Sequence, residues 1–437
     1  MNGLLTDLYE LTMAAGYFES GKVEEKATFE FTIRRLPAFR NFVLVAGLAQ
    51  VVEYLQNLSF TEEEIGYLRG LPQFRGASPA FFEYLRSFRF TGDLFAAPEG
   101  TPLFSGEPVL CLRAPIIEAQ IPETWLLSTI TFQTLIASKA ARCASAAAGR
   151  PVIEFGTRRA HTPDAGVLGA RAAYLGGCAG TSNTLAGYRY GIPVSGTAAH
   201  SWVMSFACEM EAFRKLQRVM GESTVQLLDT YDPLQGARHA AKLGKPLWGV
   251  RLDSGDFLST SRQVRAILDQ AGLHDSRIMA SGDLDEYKIR ELVRAGAAVD
   301  SFGVGTQLAV SADSPVMGAV YKLVELDIQG IKRFTAKYSD EKASVPGAKQ
   351  VFRAAHRDVI ARSGECGNGE ALLRPVLLGG ELVEPLPTLE QSRERAAAML
   401  AKLPEEIRGL EPAEPWPVIY SRELRELIEN TRHNLMQ

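Results

Sequence analysis

An irregular α/β barrel, flanked by α+β N-terminal and C-terminal domains, is the architecture this sequence predicts. Three observations lead there. From about residue 150 short β-rich runs alternate with helical ones, as parallel strands joined by crossover helices require. Each run ends in a polar or glycine-rich cluster: Glu154-Phe155-Gly156-Thr157-Arg158-Arg159, Thr197 with His200, Asp229, Arg251-Leu252-Asp253-Ser254-Gly255-Asp256, Ser281-Gly282-Asp283, and Gly303-Val304-Gly305-Thr306. In an open sheet only the strands beside the switch point carry a site, whereas six decorated ends describe one mouth ringed by all of them. Six strands are fewer than a regular barrel's eight, so the barrel is irregular.

The elements follow in order. Residues 1–118 read as an N-terminal α+β domain. Its first helix is expected to be capped by Thr6 or Asp7, with Leu8, Leu11, Ala15 and Phe18 facing the core. Residues 27–33 alternate with period two, the pattern of a strand with one buried face. Residues 45–90 are helical with a break near Gly70-Leu71-Pro72, and 92–117 are short strands.

Residues 119–345 form the barrel domain. It opens on a helix over 123–149, and its strands are expected at 152–154, 194–196, 225–228, 247–252, 277–280 and 301–304. Helices are expected at 164–175, 200–220, 234–242, 256–271 and 285–295. A further strand over 317–325 leads into a polar stretch, residues 337–342. The C-terminal region, 346–437, is expected to pack with the N-terminal domain. It holds strands near 350–353 and 372–378, a helix opened by a capping box at Thr388-Leu389-Glu390-Gln391, and a last helix from Ser421.

Composition narrows the class. The 437 residues allow two or three domains, with 46% hydrophobic and 22% charged content typical of a globular chain. A net charge of -4 gives no footing for nucleic acid. Five cysteines (111, 143, 178, 208 and 366) form no C-x-x-C pair, so reduced thiols in a cytoplasmic protein are expected. The start, Met1-Asn2-Gly3-Leu4, lacks a signal-peptide pattern, and no run approaches the ~20 apolar residues of a membrane span.

The strand ends combine three kinds of group. Glycine turns (Gly282, Gly303, Gly305) bare backbone amides suited to phosphate oxygens. Asp229, Asp253, Asp256 and Asp283 suit a divalent metal or ribose hydroxyls. Arg158, Arg159 and Arg251 can fork onto phosphate or carboxylate. Together they describe a site for a phosphorylated sugar with its metal. The absence of a lysine at a strand end argues against Schiff-base chemistry. Blander readings stand beside each: the glycines as plain turns, Asp253 and Asp256 as helix caps, Arg158 and Arg159 as solvated charges, and His200 as a packed histidine. Gly196-Thr197-Ala198-Ala199-His200-Ser201 is the strand-to-helix turn on which these readings converge.

Five blocks carry a resemblance. They are Thr6-Asp7-Leu8-Tyr9-Glu10-Leu11-Thr12-Met13-Ala14, Glu154-Phe155-Gly156-Thr157-Arg158-Arg159-Ala160, Gly196-Thr197-Ala198-Ala199-His200-Ser201, Val250-Arg251-Leu252-Asp253-Ser254-Gly255-Asp256 and Phe302-Gly303-Val304-Gly305-Thr306. On these the sequence closely resembles the nicotinate phosphoribosyltransferases over nearly its whole length. The resemblance implies a type II phosphoribosyltransferase-like barrel and a homodimer with its active site at the subunit interface. The implied reaction makes nicotinate mononucleotide and pyrophosphate from nicotinate and phosphoribosyl pyrophosphate, coupled to ATP hydrolysis.

By the same resemblance His200 would be phosphorylated by ATP, and the start of a helix favours an anion there. Tyr9 would stack on the pyridine ring from the partner subunit. Thr197 and Arg251 would bind nicotinate. Thr306, with Gly303 and Gly305, would bind the phosphoribosyl phosphate. Arg158, Gly282, Lys139 and Arg142 are further candidates for substrate contact. Asp253 and Asp283 would hold ribose hydroxyls and, through Mg2+, the pyrophosphate, with Glu154 among the catalytic acids. Relatives that use nicotinamide begin the second block Asp-Phe-Gly. Glu154-Phe155-Gly156 and the arginines after it favour the acid. A sugar-phosphate isomerase or lyase would explain the glycines and aspartates but leave Tyr9 and His200 without work.

Overall fold

The computed structural model describes residues 3–339 and 343–436. Residues 340–342 of the polar stretch, and Met1 and Asn2 at the start of the given sequence, lie outside the described residues. The chain forms two compact units: Met1–Thr134 with Val316–Leu403 and Ala413–Gln437, and Leu135–Pro315 with Pro404–Pro412. Within the 119–345 span expected as the barrel, residues 135–315 belong to the second unit and the rest to the first.

The first unit is built on a seven-stranded sheet. Lys26–Arg35 lies inside it, antiparallel to Pro108–Pro115 on one side and Gly318–Ile328 on the other. Strands Asp93–Ala96 and Arg374–Leu378 extend the sheet, so it draws on all three expected spans. The alternation over 27–33 predicts one buried face, yet Thr28 and Glu30 are buried like their apolar neighbours, at 2% and 1% exposure. A central strand covered on both faces reads this way. Glu30 is tolerated because Lys349 places its ammonium 2.6 Å from Oε2 and its backbone N–H 2.8 Å from Oε1.

The first helix, Leu8–Glu19, has no side-chain cap. The two expected cap residues make tertiary bonds instead: Thr6 Oγ1 donates to Ile121 O at 2.9 Å, and Asp7 Oδ2 accepts from Thr124 Oγ1 at 2.8 Å. Leu11 and Ala15 are buried as expected, but Leu8 is 43% exposed. The capping box at Thr388 is present.

Glu10 is fully buried on this helix and accepts from both the backbone N–H and the hydroxyl of Thr124, at 3.0 and 2.8 Å. Burial pushes its carboxyl up to about 7, with the charge of Glu123 adding and the Thr124 bonds opposing. A raised carboxyl holds more protons folded than unfolded, so stability falls as pH climbs from about 4.5 to about 7. Glu10→Gln is expected to flatten that part of the melting-temperature profile. Parallel wild-type and variant profiles over the window would contradict it.

The second unit contains a six-stranded parallel sheet in the order Gly180–Thr181, Val152–Glu154, Ser301–Val304, Arg277–Ser281, Gly249–Leu252, Val225–Leu227. Among the described residues no ladder joins the two end strands. The unit is therefore mixed α/β on a parallel sheet. The expected strand 194–196 is reduced to a bridge between Val194 and Thr181. Gly180–Thr181 replaces it in the sheet, and two residues are too few to give a pattern. Crossover helices begin on acidic caps, Asp232, Asp256 and Asp285, each accepting from amides of the first turn. The capping alternative thus holds for Asp256. The helix expected over 200–220 is two, His200–Met204 and Glu209–Met220. Among the described residues no helix is long and apolar enough to cross a membrane.

Candidate active site

A cavity of about 370 Å³ lies at the strand ends of the second unit, with Phe155, Arg158, Thr197, His200, Arg251 and Asp253 in its walls. Arg251, on Gly249–Leu252, organises it. Its Nε donates to Ser281 Oγ at 2.7 Å, Nη1 to Thr197 Oγ1 at 2.8 Å and Nη2 to Asp253 Oδ1 at 2.5 Å. Its Cζ sits 5.6 Å from the Phe155 ring centroid. Three hydrogen bonds and an aromatic face fix the plane of this cation, the geometry in which a guanidinium recognises a planar anion.

Asp253 is the second hub. Burial alone would raise its carboxyl, but the Ser281 hydroxyl, the Arg251 cation and His200 outweigh this and hold it below the usual range. Its Oδ2 lies 3.7 Å from His200 Nε2. The other imidazole nitrogen, Nδ1, is 3.2 Å from Thr230 Oγ1. When Nδ1 carries the proton and donates to Thr230, Nε2 presents its lone pair. His200 opens a helix of only five residues, so the dipole expected to favour an anion there is much smaller than a long helix would supply.

Asp229 supports this loop. Its Oδ2 accepts from the Asp253 N–H at 2.9 Å and from Ser254 Oγ at 2.7 Å. Its Oδ1 is buried and has no hydrogen-bond partner among the described residues.

The glycines have separate reasons. Gly282, at φ +97°, would place a Cβ 1.9 Å from the carbonyl oxygen of Asp253, so the close approach of the two strand ends demands it. Gly303 is buried, and a Cβ there would meet the Phe155 ring at 2.6 Å. It leaves room for the ring under Arg251, a role that neither the phosphate nor the turn reading anticipates. Gly305 precedes the four-residue helix Thr306–Ala309, where Thr306 is exposed.

Other candidates fall elsewhere. Glu154 is 3% exposed, accepting from Thr181 Oγ1 at 2.6 Å and from the Gly156 N–H. Burial raises its carboxyl against these bonds. It pins the loop after its strand and does not line the cavity. Lys139 does not line it either: its ammonium is buried between Glu286 and Asp313, at 2.6 and 2.9 Å. Arg142 donates to the same Glu286 at 2.9 Å. These two cations neutralise a buried acid in place of reaching the cavity. Asp283 adopts φ +48° with an exposed side chain. Tyr9 belongs to the first unit and is 46% exposed. Ser281 and Thr230 are partners that motif reading underrates. The available signal is a hydroxyl residue where a strand ends or just beyond it.

A guanidinium, a carboxylate and an imidazole converge on one cavity at the ends of parallel strands, the setting of an α/β enzyme's active site. Comparison with known proteins agrees. The N-terminal domain model of nicotinate phosphoribosyltransferase (NAPRTase) matches residues 4–131, the NAPRTase family model 151–345, and the C-terminal domain model 340–428. Nicotinate phosphoribosyltransferase pncB2 of Mycobacterium tuberculosis is 44% identical, over 99% of this chain and 94% of its own. The nicotinate phosphoribosyltransferase of Bacillus subtilis is 43% identical, over 85% and 78%. Among solved structures, human nicotinic acid phosphoribosyltransferase superposes with a TM-score of 0.85 at 29% identity, covering 98% of this chain and 100% of that one. A nicotinate-nucleotide pyrophosphorylase from Pyrococcus furiosus gives 0.73 at 28% identity, covering 92% and 95%. The chain belongs to the nicotinate phosphoribosyltransferase family, transferases of NAD biosynthesis.

Proposed function

We propose that the cavity joins nicotinate to phosphoribosyl pyrophosphate, and that ATP assists through His200. The observation that carries this reading is the convergence of Thr197, Arg251, Asp253 and His200 on one cavity. The guanidinium of Arg251, with Thr197 beside it, takes the nicotinate carboxylate, and the exposed Tyr9 of a second copy in a homodimer covers the pyridine ring. Thr306 and the Gly305 turn take the ribose 5-phosphate, with Arg158 nearby on the cavity wall and Gly282 setting the Asp253 loop. The pyridine nitrogen donates its lone pair to C1 of the ribose. The bond from C1 to pyrophosphate oxygen breaks, and its electron pair leaves with the pyrophosphate.

Among the described residues no cluster of three or more acids, histidines or cysteines forms a metal cage. Asp253 and Asp283, with the unpartnered Oδ1 of Asp229, suit a Mg2+ held chiefly by phosphate oxygens. When bound, such an ion neutralises charge growing on the leaving group. The roles of Asp253 and Arg251 are to orient the ribose and the acid, and to keep His200 aligned.

The sheet curls into an irregular barrel in this reading, with Val194 carried as a further strand beside Gly180–Thr181. Nε2 of His200 attacks the γ-phosphorus of ATP, ADP departs, and the phosphohistidine strengthens the hold on the pyrophosphate region until its phosphate passes to water.

His200→Ala is expected to lose ATP stimulation and acid-labile phosphate from labelled ATP, while ATP-independent transfer persists. Full ATP stimulation in that variant would sink the phosphohistidine role.

A further inference from the structure

The first unit contains a cavity of about 190 Å³ that no residue of the His200 cavity lines. Its walls are aliphatic and stiff, from Leu48, Ala96, Val376 and Leu386 together with Pro98, Pro375, Pro385 and Pro387. Proline walls have little conformational freedom to lose, so they form a slot that is open before a ligand arrives. Two cations face it, Arg395 from helix Leu389–Lys402 and Arg374 from strand Arg374–Leu378.

Arg395 is underused. Among the described residues it makes one long hydrogen bond, 3.3 Å from Nη1 to Glu99 O, and no ion pair. Burial depresses the pKa of its guanidinium, and the next cause is the charge of Arg374, ahead of the opposing carboxylates Glu370 and Glu99. Among the described residues the Arg374 side chain is tied only to Glu370, 2.8 Å away in an exposed pair of small worth. Two glutamates also line the cavity. Glu99 is committed to the Gly47 N–H at 2.6 Å, and Glu384 is exposed. A partly desolvated arginine beside a like charge gains from an incoming anion what solvent and neighbours do not supply.

We propose that this cavity binds a small carboxylate with an apolar body, its head on Arg395 and Arg374 and its body against the prolines and aliphatic side chains. Phosphate shares the anionic head but lacks the apolar body, so the lining favours the carboxylate.

Benzoate is the probe, titrated by calorimetry into the full chain, with inorganic phosphate in a parallel titration. Arg251→Gln removes the competing anion site of the other cavity and is expected to leave one saturable benzoate event. In that background Arg395→Met is expected to weaken benzoate about tenfold or more, the effect of losing a charge-assisted hydrogen bond. Arg374→Met, at a half-exposed position that leaves the fold intact, is expected to weaken it by a smaller factor. Benzoate binding unchanged by both methionine variants, no saturable benzoate event in the Arg251→Gln protein, or phosphate binding as tightly as benzoate would each overturn the proposal.

Discussion

Arg251→Met is expected to lower kcat/KM for nicotinate by about a hundredfold to a thousandfold, equivalent to roughly 3–4 kcal/mol of transition-state stabilisation. The guanidinium ties Thr197, Ser281 and Asp253 to one plane over Phe155. Methionine keeps the aliphatic stem and removes all three bonds. Asp253 then keeps the Ser281 hydroxyl but loses the cation that helps offset its burial, so its carboxyl rises. On the proposed reading the nicotinate carboxylate loses its partner as well. Hydrogen bonds to charged groups contribute about 1.5–3 kcal/mol each, so losses of this size need only one or two of them. Lysine should rescue little, because a point charge cannot serve three acceptors in a plane. Steady-state kinetics of both variants check this, and wild-type kcat/KM in the lysine variant would contradict it.

Gly282→Ala is expected to destabilise the second unit by about 3 kcal/mol or more, in the range of severe backbone-strain substitutions. The added methyl carbon would lie 1.9 Å from a backbone oxygen of Asp253, at φ +97°. No side chain can swing aside to relieve the contact. Relief must come from moving the strand end that carries Asp253, so activity falls with stability. Gly255→Ala is the control. It has φ +84° but nothing within 4 Å of the new carbon, so it should cost only the left-handed strain of about 1–2 kcal/mol. Urea unfolding followed with a probe in each unit separates the two variants, since a two-unit chain need not unfold in one step. Equal midpoints for the two alanine variants would show that the close approach to Asp253 carries no energetic weight.

Much of the parallel sheet is legible in sequence because its strands are short apolar runs ending in chemistry. The strand expected at 301–304 matches Ser301–Val304, and the crossover helices begin on the acids that precede them. Signals failed where tertiary structure overrode local pattern. Thr6 and Asp7 look like caps but are drawn into bonds with Ile121 and Thr124, more than a hundred positions away. Residues 27–33 alternate, yet a second covering layer buries the polar face too. Gly180–Thr181 is too short for any periodicity to announce it.

In the cavity, Arg251, Asp253, Thr197 and His200 were readable as polar residues past strand ends. Their wiring was not, since it depends on which strand lies beside which. Ser281 is the clearest case: its hydroxyl serves Arg251 and Asp253 only because Arg277–Ser281 pairs with Gly249–Leu252. Lys139 shows the opposite error, a basic residue whose acidic partners, the buried Glu286 and Asp313, are far off in sequence.

The sheet around Lys26–Arg35 also sets an order of assembly during synthesis. Its partner Gly318–Ile328 leaves the ribosome only after the whole stretch Leu135–Pro315 has emerged. The parallel sheet can therefore close on nearby partners while the earliest-made strand still waits for one of its two neighbours. Until then that strand exposes an unpaired edge carrying Phe29, Phe31 and Ile33, a surface open to wrong pairing.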